Sequence, residues 1–295
     1  MFFKQKIKVI TPYMWENNTI QENFAIPMYW YDDVSNFGDW LSPWLVSCLA
    51  KKPVINTAHL ESSEKSLFAI GSIIQSCESK HGEIDIWGSG LIHPLDSNNK
   101  KINKRLVKLK QCNIKSIHAV RGALTASQLR SKLNLTVPDI YGDPAMLIAN
   151  IYEPQQINVK SKISICPHYI HQKYFEKVEA IKEQFNIIDV HNSPESVITQ
   201  IANSDLCISS SLHGIIIAQA YNIPWVWLKF EGHYLKGDDF KFFDYFSNML
   251  DPHKFNSVEI KADDVNLAVF QDIAKKACVM EVKSSLALLR ESFPY

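Results

Sequence analysis

Residues 205–229 read Asp-Leu-Cys-Ile-Ser-Ser-Ser-Leu-His-Gly-Ile-Ile-Ile-Ala-Gln-Ala-Tyr-Asn-Ile-Pro-Trp-Val-Trp-Leu-Lys. One apolar run, Asp205–Ser209, ends in serines; a longer one, Leu212–Tyr221, follows; Pro224 then opens a third, Trp225–Lys229. Short apolar runs bounded by turn residues, with a longer one between them, predict strand, helix, strand. Working back, Ser193 offers a capping oxygen and Pro194 has no N–H to waste, so a helix is expected over Pro194–Asn203. Before it come strand Asn186–Val190, helix Gln172–Gln184 and strand Lys162–Cys166. Such a β-α-β-α-β-α-β run predicts a parallel sheet with helices on both faces.

The first half repeats the alternation less cleanly. Expected strands are Ile7–Ile10, Met28–Tyr31, Leu67–Ile70, Ile84–Trp87 and Ser116–Val120, with helices over Asp39–Ala50 and Ala123–Leu133. Residues 149–160 lose all period and contain Pro154, and read as a linker between a domain of residues 1–155 and one of 156–295. The expected class is therefore α/β, with two such domains facing a cleft and ligands bound at the carboxyl ends of the strands. Residues 265–292 read as amphipathic and helical, packing back across a domain.

Composition narrows the function. With 31 basic and 31 acidic side chains the formal net charge is zero, which argues against a global field for nucleic acid. The apolar stretch around Gly214–Leu228 is interrupted by Gln219, Asn222 and Pro224, well short of the ~20 residues of a membrane span. Peripheral contact with a membrane is left open. The N-terminus turns polar too early for a signal peptide, and the six cysteines show no Cys-x-x-Cys pair, so a cytoplasmic protein with buried reduced thiols is expected.

Chemistry concentrates in the strand-to-helix turns. At Ile208–Gly214, serine hydroxyls (Ser209, Ser210, Ser211) and free helix N–H groups suit an anion, Gly214 admits a close backbone, and His213 is placed to donate a hydrogen bond or move a proton. A serine-capped helix with a packed histidine is the plainer alternative. In Asn36-Phe-Gly-Asp-Trp40, Asn36 and Asp39 suit a sugar or a helix cap equally, and Gly38 suits a tight turn. Gly88, Ser89 and Gly90 permit close ligand approach after a strand. Arg121 is the best fork for a carboxylate or phosphate, its alternative being a surface ion pair. Asp143 orients a partner or makes an ordinary Asp-Pro turn; His93 and His168 line the cleft or sit in solvated loops; Lys241 supplies positive charge or a solvated helix face. Neither a His-Glu-x-x-His, a P-loop nor an EF-hand spacing occurs, so no metal is expected.

In order along the chain, Asn36-Phe-Gly-Asp39, Gly71-Ser-Ile73, Ile86-Trp-Gly-Ser-Gly90, Ala119-Val-Arg-Gly-Ala-Leu-Thr-Ala126, Gly142-Asp-Pro-Ala145 and Ser210-Ser-Leu-His-Gly214 with Ala218 and Ile223-Pro224 resemble the polysaccharide pyruvyltransferase family. The nearest flavour is the subgroup that adds ketal pyruvate to exopolysaccharide sugars. The resemblance implies two Rossmann-like domains in a GT-B-like arrangement, phosphoenolpyruvate as donor substrate with no other cofactor, and a glycan or lipid-linked oligosaccharide as acceptor. It implies donor contacts at Arg121, Leu212 and His213. On that reading Ser209, Ser210, Ser211, Gly214 and Lys241 complete the donor side. His213 and Asp39 do the proton chemistry, and Asn36, Gly38, Gly88, Ser89, His93 and His168 face the acceptor. Several family members carry Arg where this chain has Ser211; Lys229 and Lys241 are the cations available to replace it. A nucleotide-sugar glycosyltransferase, with Glu195 or Glu231 gripping a ribose, and a non-catalytic glycan- or anion-binding module are the competing readings.

Overall fold

The structure is a computed structural model that describes residues 9–10, 25–60, 65–80, 82–95, 100–159, 161–176, 178–251 and 257–295. Its first half contains β1 (Val9–Ile10), β2 (Ile26–Tyr29), α1 (Phe37–Ala50), β3 (Val54–Asn56), β4 (Lys65–Phe68), β5 (Glu83–Trp87), α2 (Lys100–Leu109), β6 (Ile114–Ala119) and α3 (Ala123–Leu133). The second half contains β7 (Ile163–Cys166), α4 (Glu179–Gln184), β8 (Asn186–Ile187), α5 (Pro194–Ala202), β9 (Leu206–Ser209), α6 (Leu212–Ala220), β10 (Trp225–Phe230), α7 (Phe240–Phe246), β11 (Ser257–Ile260), α8 (Leu267–Ala274) and α9 (Leu286–Glu291).

Two sheets result. The first runs β1-β3-β2-β4-β5-β6, parallel except for β1 against β3; the second runs β11-β10-β9-β7-β8 and is parallel throughout. The α/β expectation therefore stands. Most strands follow the expected runs within a residue or two; the Ile7–Lys8 part of the first lies outside the described residues. Ser193 caps α5 as expected, its hydroxyl accepting the Ser196 N–H at 3.3 Å.

Two expectations are corrected. Gln172–Gln184 is not one helix: a 3-10 turn over Tyr169–Tyr174, capped by the His168 ring, precedes the short α4. Residues 149–159 are tied to the second half at Asn203, whose side chain receives the Ile157 N–H and donates to the Gln155 carbonyl. The tail is two helices rather than one, interrupted where Cys278 bridges Trp225 and Val282 bridges Met249. Its last helix does pack back, as expected, with Trp87 Nε1 donating to the Leu289 carbonyl at 3.0 Å.

One apolar cluster joins the two halves. It runs from Met28, Trp30, Phe37 and Leu45 through Leu147 to Ile215, Ile216, Trp225, Phe242 and Leu289, all buried. α7, which follows β10, sits where the halves meet. Its Phe242 stacks on Trp227 at 4.3 Å and its Phe246 on Trp225 at 5.6 Å. Its acidic residue reaches the other half: Asp244 accepts from Arg121 Nε, Thr125 N–H and Thr125 Oγ1 at 2.9, 2.7 and 2.7 Å.

Candidate active site

The amino ends of α1 and α6 meet. Each helix follows a parallel strand, so each presents its first turn at the carboxyl edge of its sheet. At the head of α1, extended Asn36 accepts the Gly38 N–H at 3.3 Å and donates from Nδ2 to Asp39 Oδ2 at 2.9 Å. Asn36 thus both caps the helix and fixes the Asp39 carboxylate. Gly38 lies inside the helix, not in a tight turn, and its need is spatial: a Cβ there would lie 2.4 Å from His213 Nδ1. Phe37 meets the same imidazole edge-on, and the Phe37 N–H donates to the Val190 carbonyl at 2.8 Å, seating this turn on the second half.

The serines of the α6 turn divide their work. Ser209 is fully buried, with Oγ 2.7 Å from the Cys166 carbonyl, and accepts the Ser211 N–H at 3.1 Å. Gly214 lets α6 press onto this group, since a Cβ would come within 2.3 Å of Ser209 Oγ and 2.8 Å of Cys166 Sγ. Ser210 Oγ accepts the His168 N–H at 2.9 Å and lies 3.0 Å from His171 Nδ1. His171 Nε2 faces the His233 carbonyl at 2.9 Å, which only accepts. The proton therefore sits on Nε2, and Nδ1 takes a hydrogen bond from the Ser210 hydroxyl. Burial lowers the His171 pKa, consistent with this neutral ring. Ser209 and Ser210 are consequently occupied in holding the turn. Ser211 stands at the cap position of α6 with no side-chain capping bond.

What the turn leaves open is its backbone. Among the described residues the N–H groups of Leu212, His213 and Gly214 have no hydrogen-bond partner, and they sit at the positive end of a helix dipole. Lys241, at the start of α7, adds a full charge. Among the described residues it forms no salt bridge, whereas Lys229 is held by Asp239 at 2.7 Å. Of the two cations expected to replace the missing arginine, Lys241 is thus the one free to do so.

These groups share one electrostatic neighbourhood. Burial, then the nearby Arg121 charge, pulls Lys241 down to about 8, with Asp39 acting the other way. Burial pushes Asp39 up to about 6 against the Asn36 hydrogen bond and Lys241. Burial, Lys241 and Arg121 together hold His213 at about 3, and its Nε2 is covered with no hydrogen-bond partner among the described residues. His168 is likewise held well below its ordinary value by burial, Lys241 and the neighbouring histidines. Near neutrality the site holds a lysine cation, a carboxylate and uncharged imidazoles.

Arg121 is neither a surface ion pair nor exposed. Its side chain has no accessible surface, and its guanidinium is used by Asp244, Ser72 Oγ and the Leu91 carbonyl. Gly90 makes room for it, a Cβ there falling 2.3 Å from Cζ. Gly88 accommodates Pro144, and Ser89 Oγ donates to the Gly71 carbonyl at 3.0 Å. Gly88 and Ser89 pack beside the Arg121 turn, the Ser89 carbonyl accepting the Arg121 N–H at 3.1 Å, and the His93 carbonyl accepts from Gln75; among the described residues none of the three has a hydrogen bond to Asp39 or His213. Asp143 caps the following 3-10 turn through the Ala145 N–H. Glu195 accepts from Trp44 Nε1 in the α1–α5 contact. His171 and Asp244 carry no local sequence signal of their roles, which depend on Ser210, His233, Arg121 and Thr125 far along the chain.

A family model described as polysaccharide pyruvyl transferase matches residues 28–230, well over half of the chain and all of the turns above. The Rhizobium meliloti succinoglycan biosynthesis protein ExoV is 28% identical over 206 residues, covering 68% of this chain and 58% of that protein. An uncharacterized protein of Acanthamoeba polyphaga mimivirus is 27% identical over 228 residues, covering 74% and 72%. The motif order read from the sequence and the matched span agree: the chain belongs to the polysaccharide pyruvyl transferase family.

Proposed function

We propose that this protein transfers pyruvate from phosphoenolpyruvate to two hydroxyls of one sugar in a polysaccharide or its lipid-linked precursor, forming a cyclic ketal and releasing phosphate. One observation carries the reading: at the head of α6 three N–H groups and the buried His213 Nε2 have no hydrogen-bond partner among the described residues, and the Lys241 charge acts on both His213 and Asp39. That set suits a small polyanion carrying both carboxylate and phosphate. The facing helix heads, with Gly38 against His213, support a GT-B-like cleft between the two sheets.

The chemistry follows from the groups. The donor's anionic ends lie on the α6 amides and Lys241, while Arg121 contributes its charge from beneath. His213 gives a proton to the methylene carbon, and the central carbon becomes electrophilic. A sugar hydroxyl adds there, its proton passing to Asp39, whose elevated value keeps it mostly ionised yet basic at neutral pH. The C–O bond to phosphate then breaks, the departing phosphate taking the proton from Asp39, and the second hydroxyl adds to the central carbon and closes the ketal, its proton returning to the His213 imidazole. The test is phosphate release from phosphoenolpyruvate that depends on a depyruvylated succinoglycan oligosaccharide or another glycan, with pyruvate recovered on the sugar. Release that ignores every glycan offered counts against transfer.

A pH dependence follows. Lys241 is charged below about 8 and loses its proton above it. Phosphoenolpyruvate affinity is therefore expected to fall as pH rises past about 8, approaching tenfold per pH unit, and Lys241→Arg is expected to flatten that fall. Calorimetric titration across this range checks it; an unchanged slope in Lys241→Arg would place the titrating group elsewhere.

A further inference from the structure

We infer that α2 is a docking face for an anionic lipid bilayer. No acidic residue occurs between Asp96 and Asp139, while ten Lys or Arg do, in a chain whose net charge is zero. The element α2 reads Lys-Lys-Ile-Asn-Lys-Arg-Leu-Val-Lys-Leu, and Ile102, Leu106 and Leu109 turn inward, with Leu109 buried. The opposite face carries Lys100, Lys104 and Lys108 at successive i, i+4 positions, all exposed, with Val107 exposed at 58% beside them.

Folding does not explain this stripe. Like charges four apart on a helix repel, and cations in a first turn oppose the helix dipole. Among the described residues Lys100, Lys104 and Lys108 form no ion pair, whereas nearby Arg105 is bound to Glu78 at 2.9 Å and Lys115 to Glu83 at 3.2 Å. A partner of opposite charge offsets the repulsion. The stripe lies along one exposed face of a helix that leads into β6, the edge strand of its sheet. An aliphatic side chain among the lysines suits the headgroup–acyl boundary, and no arginine or aromatic stands in the stripe to read phosphates or stack bases. No helix among the described residues is long and apolar enough to cross a membrane, so attachment through this face is to the surface.

The test uses the full chain and sedimentation with large vesicles, either phosphatidylcholine alone or an equal mixture with phosphatidylglycerol. Binding is expected only to the mixture and is expected to vanish when salt shortens the Debye length to about 3 Å. Each lysine near an anionic leaflet contributes about fivefold, so Lys100→Gln with Lys104→Gln and Lys108→Gln together should weaken partitioning about 100-fold. The same change at Lys261, Lys275 and Lys276 should leave it unaltered. If the triple variant loses its native melting transition, Lys104→Gln alone should still cost about fivefold. Equal sedimentation with both vesicles, an unaffected stripe variant, an equal loss in the control variant, or duplex DNA competing at equal phosphate would each overturn the inference. None of these readings depends on the transferase activity.

Discussion

His213→Ala is expected to lower pyruvyl turnover about 10²–10⁴-fold, the usual contribution of a positioned proton donor. Nε2 has no hydrogen-bond partner to lose among the described residues, so the stability cost is confined to the packing against Phe37 and Gly38. The same residue makes a second, stranger prediction. With the site empty the imidazole is neutral, held at about 3 by burial and by the charges of Lys241 and Arg121. A neutral ring is a poor acid for carbon. A bound trianion reverses the sign of the local field and raises the ring's affinity for a proton. Donor binding at pH 7, below the Lys241 value, should therefore take up a proton in the wild type and not in His213→Ala. Titration calorimetry in two buffers of different ionisation enthalpy reads this directly. Turnover within a few-fold of wild type would end the acid assignment; equal uptake in both proteins would move the proton to another group.

Asp244→Ala is expected to be the most destabilising single change in the site's frame. Asp244 and Arg121 are both fully buried, and Asp244 also satisfies the Thr125 N–H and hydroxyl. Removing one partner of such a pair leaves an uncompensated buried charge, about 3–5 kcal/mol. At roughly 2–4 °C per kcal/mol for a chain of this size, melting should drop by about 10 °C. A double change, Arg121→Met with Asp244→Leu, should recover part of that loss, because well-packed apolar pairs replace buried ion pairs at little cost. Single variants that melt within a degree or two of wild type would show the pair to be dispensable. The consequence for function is that Arg121→Ala is an unsuitable probe of donor contact, since its loss disturbs the join between α3 and α7.

How much of this was legible depended on whether a signal was local. Caps and period are written in adjacent residues, so the helix Ala123–Leu133 and the Ser193-Pro194 start are both legible in the sequence. The turns carrying Asn36, Asp39, His213 and Arg121 are legible as strand-to-helix turns for the same reason. Their partners are not. Lys241 looked like one cation on a solvated helix; only packing reveals that its aromatic neighbour Phe242 stacks on Trp227 and that its charge reaches Asp39 and His213. The serines misled in the other direction. Three hydroxyls at a helix head suggested direct anion contacts, but Ser209 and Ser210 are taken up by Cys166, His168 and His171 across distances no local pattern encodes. Gly88 and Gly90 read as room for a ligand, and the space belongs to Pro144 and Arg121. In the segment 172–184 the helical period was present, yet His171 must reach both Ser210 and the His233 carbonyl, and the chain there takes a 3-10 turn.

The central claim is that phosphoenolpyruvate is the donor held between α6 and Lys241. It is tested most directly by melting wild type and Lys241→Met with phosphoenolpyruvate and, separately, with UDP-, GDP- and CMP-sugars. A ligand at 100 times its dissociation constant stabilises a fold by about 2.7 kcal/mol, a readily visible shift. The expected result is a rise with phosphoenolpyruvate alone that is lost in Lys241→Met. A rise with a nucleotide sugar and none with phosphoenolpyruvate would contradict the account and make the cleft a glycosyltransferase site.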